Sequence, residues 1–450
     1  FKKIIRDLKE DPWELMKMFG RKMPDTVKGC MGGGLSLSAG FGAPPSPIEL
    51  GKLFWDLHVE YGSLQRLQMT SNTQDQIKRF FPRTVPYMKG IGMQIVCAMA
   101  YAITPRHTDD YYAAKIAEVL PFKPDAIYLK DQGGLLTVDR ARTLLPVMLK
   151  ACGDVPFELH SHCTTGLAPL VYMEALKLGV RTIHTGVPPL ADGPAQPSVL
   201  TAAKNARRLG FETGLDEDLI KSISERLTAF AVRDGMPIGR PLAYDSYQYE
   251  HQIPGGVISN FEFQLSQLGL AHRLDEAIAE AEAVQRELGY PIMITPYSQY
   301  VVTQSMMNVV IGVRYGTVGD EIIRFAAGFY GEDSGYEGMD QNLKDRLLST
   351  PRAKELLERS RIAMEPASLK EVQETLGGPG VSDEELILRV IMQGTAEVAA
   401  MRAAGPMKRY DTADPPVIRL MEEINKRAGI RSVNIQRGAD SISLRKRAAN

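Results

Sequence analysis

The sequence has few cysteines and almost no net charge. Its 450 residues include four cysteines, at positions 30, 97, 152 and 163, and none of them forms a CxxC pair. This usage favours free thiols in a reducing compartment, so the predicted location is cytoplasmic. The 53 Lys and Arg residues balance 54 Asp and Glu residues. No basic field therefore indicates a nucleic-acid partner, and no polybasic tract indicates an anionic membrane surface.

Long apolar runs, repeats and leader signals are missing as well. No run reaches the roughly 18 apolar residues that a membrane span requires, and no secretory signal is recognisable. The chain opens with Phe1 directly in a charged helical pattern, so we expect it to start within a domain. A chain of 450 residues is too long for one small core, which predicts a large α/β domain with a second domain or a long extension.

Short apolar segments alternate with helical patterns in the first half of the chain. Those typical of strands are Val27–Gly33, Ser63–Met69, Gly92–Met99, Ala126–Lys130, Pro156–His162 and Val180–Thr185. Those typical of helices are Asp11–Phe19, Ile48–Glu60, Thr108–Leu120, Val138–Ala151 and Ala168–Leu178. This alternation predicts a parallel sheet in an α/β fold, either a barrel or a doubly wound sheet. Polar and glycine residues follow nearly every strand, as they do at the active-site end of a barrel.

The second half of the chain has a helical pattern. Its predicted helices are Asp216–Asp234, Leu274–Leu288, Thr303–Val310, Val318–Tyr330, Asn342–Arg359, Ser368–Leu376 and Ser382–Met401. We therefore predict an α/β core, a barrel or a doubly wound sheet, over residues 1–235 and a mostly helical C-terminal domain over residues 236–450. Six strands are too few for a closed (β/α)8 barrel, so the first two are expected to be missing or to lie upstream of Phe1.

The strand that ends in His160-Ser161-His162 carries the clearest chemistry. Alternate residues of a strand share a face, so both imidazoles point the same way and suit a metal ion. Alternatively, one histidine packs in the core and the other caps a turn. Lys130 ends the preceding apolar strand and is followed by Asp131. Either its amine reaches water beside Asp131, or the buried neutral amine takes up CO₂ and becomes a carbamate ligand.

Three motifs follow one another along the chain. They are Lys130-Asp131-Gln132-Gly133-Gly134-Leu135-Leu136, His160-Ser161-His162-Cys163-Thr164-Thr165-Gly166 and Pro189-Leu190-Ala191-Asp192-Gly193-Pro194-Ala195-Gln196-Pro197. Together they resemble the carboxyltransferase domain of biotin-dependent enzymes, the family of pyruvate carboxylase, transcarboxylase and the oxaloacetate decarboxylase α subunit. The resemblance runs from Phe1 to about Val310. It implies a TIM-type (β/α)8 barrel with a helical C-terminal funnel over its mouth.

The resemblance also implies roles for individual residues. His160 and His162 match two ligands of a divalent metal ion, Zn, Mn or Co, and Lys130 matches a carbamylated lysine that is a third ligand. The fourth ligand is expected to be an Asp upstream of residue 1. Thr295 matches a residue that relays a proton between biotin and the acceptor, so Thr295 and Lys130 are the predicted catalytic residues. The residues predicted to line the substrate and biotin pocket are Arg66, Gly33, His184, Gln196 and Asp131.

The implied activity is transfer of CO₂ from carboxybiotin to an enolisable carbonyl acceptor through a metal-stabilised enolate. A separate biotin carboxyl carrier protein and a biotin carboxylase are the implied partners, and a homodimer or larger complex is expected. Neither nucleic-acid binding nor membrane insertion is expected. The alternatives are an oxaloacetate-type decarboxylase α subunit, a Claisen-type lyase or synthase, and a non-catalytic scaffold subunit.

Several positions depart from the family pattern. Met31–Leu35 stands where pyruvate-using members carry an Arg that grips the substrate carboxylate, and no Arg occurs between Arg21 and Arg66. Met69, Cys163 and His184 each stand where the family has Asp. These changes predict an acceptor other than pyruvate, unless an Arg or Lys from elsewhere replaces the clamp. His184 is either a hydrogen-bonded core residue or a third functional histidine.

Overall fold

A parallel sheet forms the centre of the N-terminal half. The computed structural model describes residues 1–32, 34–37, 46–73, 76–294, 296–331, 334–362, 367–378, 380–406, 427, 429–430, 432–437 and 440–445. The strands are β1 (Lys28–Met31), β2 (Leu64–Thr70), β3 (Gln94–Ala100), β4 (Ala126–Asp131), β5 (Phe157–Ser161) and β6 (Thr182–Ile183). Each strand pairs in parallel with the next one along the chain. All six predicted strands are therefore confirmed.

Helices separate the strands and continue through the second half of the chain. In the first half they are α1 (Pro12–Lys22), α2 (Ile48–Gly62), α3 (Phe81–Gly90), α4 (Asp109–Val119), α5 (Val138–Cys152), α6 (Ala168–Lys177), α7 (Val199–Arg208) and α8 (Glu217–Arg233). Then follow α9 (Gln248–His251), α10 (Gly255–Gln267), α11 (Leu274–Glu287), α12 (Tyr297–Ile311), α13 (Asp320–Ala326), α14 (Gln341–Ser349), α15 (Pro351–Ile362), α16 (Leu369–Leu376), α17 (Asp383–Met392) and α18 (Ala396–Ala403). Among the described helices, none is both long and apolar enough to cross a bilayer.

Local sequence signals set several of the helix boundaries. The hydroxyl of Thr108 accepts a hydrogen bond from the first turn of α4, and that of Thr137 does the same for α5. These N-caps satisfy backbone N–H groups that have no partner within the helix. The strand β4 is packed on both sides, and every one of its residues is buried. Burial on both faces is the usual state of a parallel sheet covered by helices.

Two predicted long helices were wrong because each is interrupted. The segment predicted as Asn342–Arg359 is divided between α14 and α15 at Pro351, since proline lacks an N–H and disfavours helix in the residue before it. The segment predicted as Ser382–Met401 breaks at Gln393, which has a φ of 56° and ends α17. A C-terminal antiparallel hairpin, β7 (Ser432–Arg437) with β8 (Asp440–Arg445), was not predicted.

The three largest clusters of buried apolar side chains hold these elements together. The first surrounds the sheet, and the second lies mainly within residues 253–347. The third joins α1 and α2 to the last helices, and it includes Trp13, Leu50 and Ile387. Trp13 also donates its indole N–H to the carbonyl of Glu384 at 3.1 Å. Helices from both sides of residue 235 therefore pack together, while the division into two domains stays a prediction.

A buried histidine in the third cluster predicts acid sensitivity of the fold. The ring centroid of His58 lies 4.0 Å from that of Phe54, and His58 hydrogen-bonds the carbonyl of Phe54 at 2.6 Å. Burial lowers the pKa of His58 to about 4. The unfolded chain therefore binds more protons than the folded chain between about pH 6.5 and pH 4, and stability falls as pH falls through that window.

We expect His58 alone to destabilise the protein by about 2 kcal/mol between pH 7 and pH 5. Urea unfolding of His58→Gln should show a correspondingly shallower loss of stability with falling pH. His272→Gln, which changes an exposed histidine, is the control and should keep the wild-type slope. A His58→Gln slope equal to that of wild type would contradict this assignment.

Candidate functional site

Lys130 and His160 are neighbours at the carboxyl ends of two adjacent strands. They face each other in the register between β4 and β5. His162 follows directly after β5, so the two imidazoles lie on the same side, with ring centroids 5.0 Å apart. Carboxyl ends of parallel strands meet at one edge of a sheet, where α/β proteins place their active sites. The structure thus brings these three predicted residues to one edge.

The Nε2 atoms of both histidines face a single point. The amide nitrogen of Gln196 lies 3.3 Å from Nε2 of His160 and 2.9 Å from Nε2 of His162. Nδ1 of His162 donates to the carbonyl oxygen of Pro194 at 2.6 Å. A carbonyl only accepts, so neutral His162 carries its proton on Nδ1 and presents the Nε2 lone pair to Gln196. This is the arrangement of a histidine prepared to bind a cation through Nε2.

The loop after β6 holds Gln196 in this position. Asp192 has a φ of 64° and accepts a hydrogen bond from the backbone N–H of Ser198 at 3.1 Å. The backbone N–H of Cys163 donates to the carbonyl of Ala195 at 2.8 Å, which fastens the loop to the end of β5. Asp192 therefore shapes the turn that delivers Gln196 to the histidine pair.

Lys130 is buried and has an unusual neighbour. Its side chain is 8 % exposed, and Nζ lies 3.3 Å from the sulfur of Met31 at the end of β1. Burial lowers the pKa of the Lys130 ammonium to about 8. Burial therefore makes the neutral amine at pH 7 more abundant than it is for an exposed lysine. The neutral form is the one that reacts with CO₂.

Asp131 supports the loop after β4. It is fully buried, and its carboxylate accepts hydrogen bonds from the backbone N–H groups of Leu135 and Leu136 at 2.7 and 3.0 Å. The hydroxyl of Ser161 donates to it at 2.6 Å. Burial raises the pKa of Asp131 to about 6, although these hydrogen bonds favour the charged form. In the same loop Gly134 has a φ of 63°, and a side chain there would collide with Thr164.

A series of polar contacts connects His160 to three further side chains. Arg66 donates from Nη2 to Glu158 at 2.6 Å, and the other carboxylate oxygen lies 2.9 Å from Nε2 of His184. Nδ1 of His184 lies 3.2 Å from Nδ1 of His160. Burial opposes the charge on Glu158, but the contacts with His184 and Arg66 outweigh it and lower the pKa of that carboxyl. His184 is therefore hydrogen-bonded and also touches a predicted ligand.

Sequence reasoning missed Glu158. It stands in the apolar strand segment Phe157-Glu158-Leu159, two residues before His160 and on the same face. A carboxylate in a buried strand requires a cationic or hydrogen-bonding partner. The signal was therefore present in the sequence, but its partners Arg66 and His184 come from β2 and from the residue after β6, 92 and 26 positions away.

The donor set fits a divalent cation in part. Within the described residues, no group of three or more His, Cys, Asp or Glu side chains is placed to hold a metal ion. The two Nε2 atoms that meet at Gln196 and the nearby amine of Lys130 are suitable donors for Zn, Mn or Co. Burial, followed by the positive charge of neighbouring groups, lowers the pKa of His160, and burial lowers that of His162. Both rings are thus neutral, as metal binding requires.

Two predicted site residues, Thr295 and Gly33, lie outside the described residues. Two residues before Thr295, the carbonyl of Met293 accepts a hydrogen bond from Nε2 of Gln132 at 3.3 Å. The roles of Thr295 and Gly33 stay predictions, as does the Asp ligand expected upstream of residue 1.

Comparison with known proteins finds relatives among carboxylases. Residues 249–423 match the conserved carboxylase domain family. A pyruvate carboxylase subunit from Methanocaldococcus jannaschii is 30% identical over 338 residues, covering 74% of this chain and 58% of that protein. The large subunit of 2-oxoglutarate carboxylase from Hydrogenobacter thermophilus is 25% identical over 442 residues, covering 95% and 64%. This chain thus spans less than two thirds of either relative.

A solved structure extends the likeness to three dimensions. The carboxyl transferase domain of Rhizobium etli pyruvate carboxylase, determined with pyruvate and biocytin, superposes with a TM-score of 0.76. The match covers 90% of this chain and 70% of that one at 21% identity, which shows a common fold. The prediction of a TIM-type α/β fold is confirmed, and here it takes the form of a half-barrel of parallel strands. Residues 249–423 therefore match the conserved carboxylase domain family, and 74% of the chain is similar in sequence to a pyruvate carboxylase subunit.

Proposed function

We propose that this chain is the carboxyltransferase component of a biotin-dependent carboxylase, which moves CO₂ from carboxybiotin to an enolisable 2-oxo acid. The observation that carries the proposal is the meeting of Lys130, His160 and His162 at one strand edge, with both Nε2 atoms facing Gln196. Relatives that act on pyruvate and on 2-oxoglutarate support the choice of a 2-oxo acid.

Two bonds break in the reaction, the N–C bond of carboxybiotin and a C–H bond of the acceptor, and two form, an N–H bond on biotin and a C–C bond on the acceptor. CO₂ leaves the ureido nitrogen of carboxybiotin, and a proton from the carbon next to the acceptor carbonyl ends on that nitrogen. The resulting carbanion equivalent attacks CO₂ and forms the new C–C bond. We assign the proton relay to the hydroxyl of Thr295, since a hydroxyl both accepts and donates a proton.

His160, His162 and a carbamylated Lys130 are the groups that would hold a divalent metal ion. Such an ion supplies Lewis-acid stabilisation of negative charge on the acceptor oxygen. The lowered pKa of Lys130 supports the carbamate, because it increases the neutral amine that adds CO₂. Gln196, whose amide contacts both rings, is in reach of a ligand bound between them.

The acceptor is expected to differ from pyruvate. Met31 lies over Lys130 in the segment where pyruvate-using members carry the carboxylate-binding Arg, and Arg66 is engaged by Glu158. A longer acceptor with a second carboxylate could be held at a different distance from the reacting carbon. We therefore expect 2-oxoglutarate to be carboxylated faster than pyruvate.

The test is a carboxyl-transfer assay with the partners that the relatives imply. The chain, in its complete natural form, is combined with a biotin carboxylase, a biotin carrier, ATP and ¹³C-bicarbonate, and each acceptor is followed by NMR. Label in a product of 2-oxoglutarate or pyruvate supports the proposal and identifies the acceptor. CO₂ release from a β-carboxylated 2-oxo acid, without any carboxylation, would favour the decarboxylase.

If no labelled product forms, a control must show whether the proposal is wrong or the carboxylated carrier was absent. The carrier must be shown to be carboxylated, by its mass, in the same mixture. If carboxylated carrier persists with every acceptor, the chain is not a carboxyltransferase for this class, and the scaffold alternative gains support. Gln196→Leu keeps the size of the side chain but removes its amide, and we expect it to slow transfer about 10-fold or more.

A further inference from the structure

The contacts between Arg66, Glu158, His184 and His160 form one continuous chain of donors and acceptors. We propose that Glu158 and His184 are positioning residues that fix His160 as its Nδ1–H tautomer and so direct its Nε2 lone pair towards Gln196. The inference rests on the proposed function only in naming the ligand of that lone pair, a divalent cation.

The direction of hydrogen-bond donation along these four side chains follows from the charged pair at one end, Arg66 and Glu158. A guanidinium only donates, so Oε1 of Glu158 accepts from Arg66 at 2.6 Å. The carboxylate has no proton to give, so Nε2–H of His184 donates to Oε2 at 2.9 Å. Neutral His184 then has a lone pair on Nδ1, where it accepts the Nδ1–H of His160 at 3.2 Å. His160 is left with a lone pair on Nε2.

The contact at Nε2, the other ring nitrogen of His160, agrees with this tautomer. Its Nε2 lies 3.3 Å from the amide nitrogen of Gln196, which is a donor. The same nitrogen faces Nε2 of His162, whose proton is on Nδ1 because of Pro194. The reverse arrangement would require protons on both nitrogens of His184, and it would set the Nε2–H of His160 against the NH₂ group of Gln196. The added charge and the two opposed N–H groups carry an electrostatic cost, so the neutral arrangement is the stable one.

The two histidine ligands are thus oriented by different means. His162 is fixed by a backbone carbonyl, which no substitution of a side chain removes. His160 depends on side chains that come from β2, β5 and the residue after β6. A change in Glu158 is therefore expected to alter His160 and to leave His162 unchanged.

Glu158→Gln gives the sharpest test because it keeps the size and shape of the side chain. Arg66 still donates to the amide oxygen, which turns the new NH₂ group towards His184. Nε2 of His184 must then accept, its proton moves to Nδ1, and it donates to Nδ1 of His160. His160 is thereby forced into the Nε2–H tautomer, so both tautomers are reversed by one substitution.

The measurement is long-range ¹H–¹⁵N correlation NMR of protein labelled at its seven histidines, after removal of metal with a chelator. In the wild type we expect a protonated Nδ1 and an unprotonated Nε2 for His160 and His162, and the opposite for His184. In Glu158→Gln the pattern should invert for His160 and His184 alone. Tyr128→Phe is the matched control: its ring packs 5.2 Å from His184, but its hydroxyl binds Gln68, so the tautomers should not change.

Zn²⁺ affinity, measured by competition with a chromophoric chelator, is the second readout. Glu158→Gln should weaken Zn²⁺ binding about 10–100-fold, the effect of losing a group that orients a histidine ligand. Tyr128→Phe should change it less than about 3-fold, well below that range. His184→Phe serves if Glu158→Gln does not fold, and it should remove the preference of His160 for Nδ1–H.

An unchanged His160 tautomer in Glu158→Gln, or in His184→Phe, would overturn the inference. If the wild type binds no Zn²⁺ yet the tautomers reverse as described, the positioning chain is correct and the proposed metal-dependent function is wrong. If the wild type binds Zn²⁺ but Glu158→Gln leaves the histidine tautomers unchanged, the metal site is correct and the proposed positioning by Glu158 and His184 is wrong.

Discussion

Lys130→Ala is expected to remove bound metal and to reduce carboxyl transfer at least about 100-fold, since loss of residues that merely orient a ligand already costs 10–100-fold. Lys130 can supply an oxygen ligand beside His160 once its amine has taken up CO₂. Without it, two neutral imidazoles remain, and two ligands hold a divalent ion much less tightly than three or four. The metal content of purified protein and the rate of labelled product formation are the two measurements.

Two further variants distinguish the carbamate from a simple positive charge. Lys130→Arg keeps a cation, but a guanidinium stays protonated and does not add CO₂, so we expect it to be as inactive as Lys130→Ala. Lys115→Ala is the matched control, because Lys115 is also a buried lysine but contacts Glu118 on α4. Intact mass should show an increment of one CO₂ in wild type and in Lys115→Ala only. Full metal content in Lys130→Ala would exclude Lys130 as a ligand.

Asp131→Ala is expected to destabilise the protein by about 3–6 kcal/mol. It leaves three buried donors without an acceptor, at a cost of roughly 1–2 kcal/mol each. These donors are the backbone N–H groups of Leu135 and Leu136 and the hydroxyl of Ser161. Water does not replace the carboxylate easily, since Asp131 is fully buried. Urea unfolding followed by circular dichroism measures the change.

The matched variant for this prediction is Ser161→Ala. It removes one donor and leaves the two backbone hydrogen bonds to Asp131, so a loss of about 1–2 kcal/mol is expected. Asp131→Asn keeps an acceptor oxygen and should lie between the two. A change of less than about 1 kcal/mol in Asp131→Ala would mean that the loop rearranges to satisfy its own N–H groups.

Much of the fold could be predicted because its signals are local. The six strands of the sheet follow from short apolar segments bounded by polar or glycine residues, and α4 and α5 begin where Thr108 and Thr137 cap them. The interruptions within the predicted C-terminal helices were harder. Pro351 was a visible signal, whereas the φ of 56° at Gln393 depends on how α17 and α18 pack.

Part of the candidate site was also predictable from local sequence signals. His160 and His162 share a face because strand residues alternate, and Lys130 ends the neighbouring strand. Asp131 was placed in the pocket by resemblance, yet its carboxylate binds the loop after β4, a contact that its position in the sequence does not reveal.

The sequence by itself determined the positions of the six strands, the face shared by the two histidines, and the resemblance to carboxyltransferase domains, because these depend on periodicity and on motifs within short segments. Only the tertiary structure decided which charges meet. Arg66 and Glu158 are 92 residues apart, and His184 joins them to His160 only because β2, β5 and β6 lie in one sheet. A hydrogen bond depends on a distance of about 3 Å between two atoms, and chain folding alone sets that distance for residues far apart in sequence.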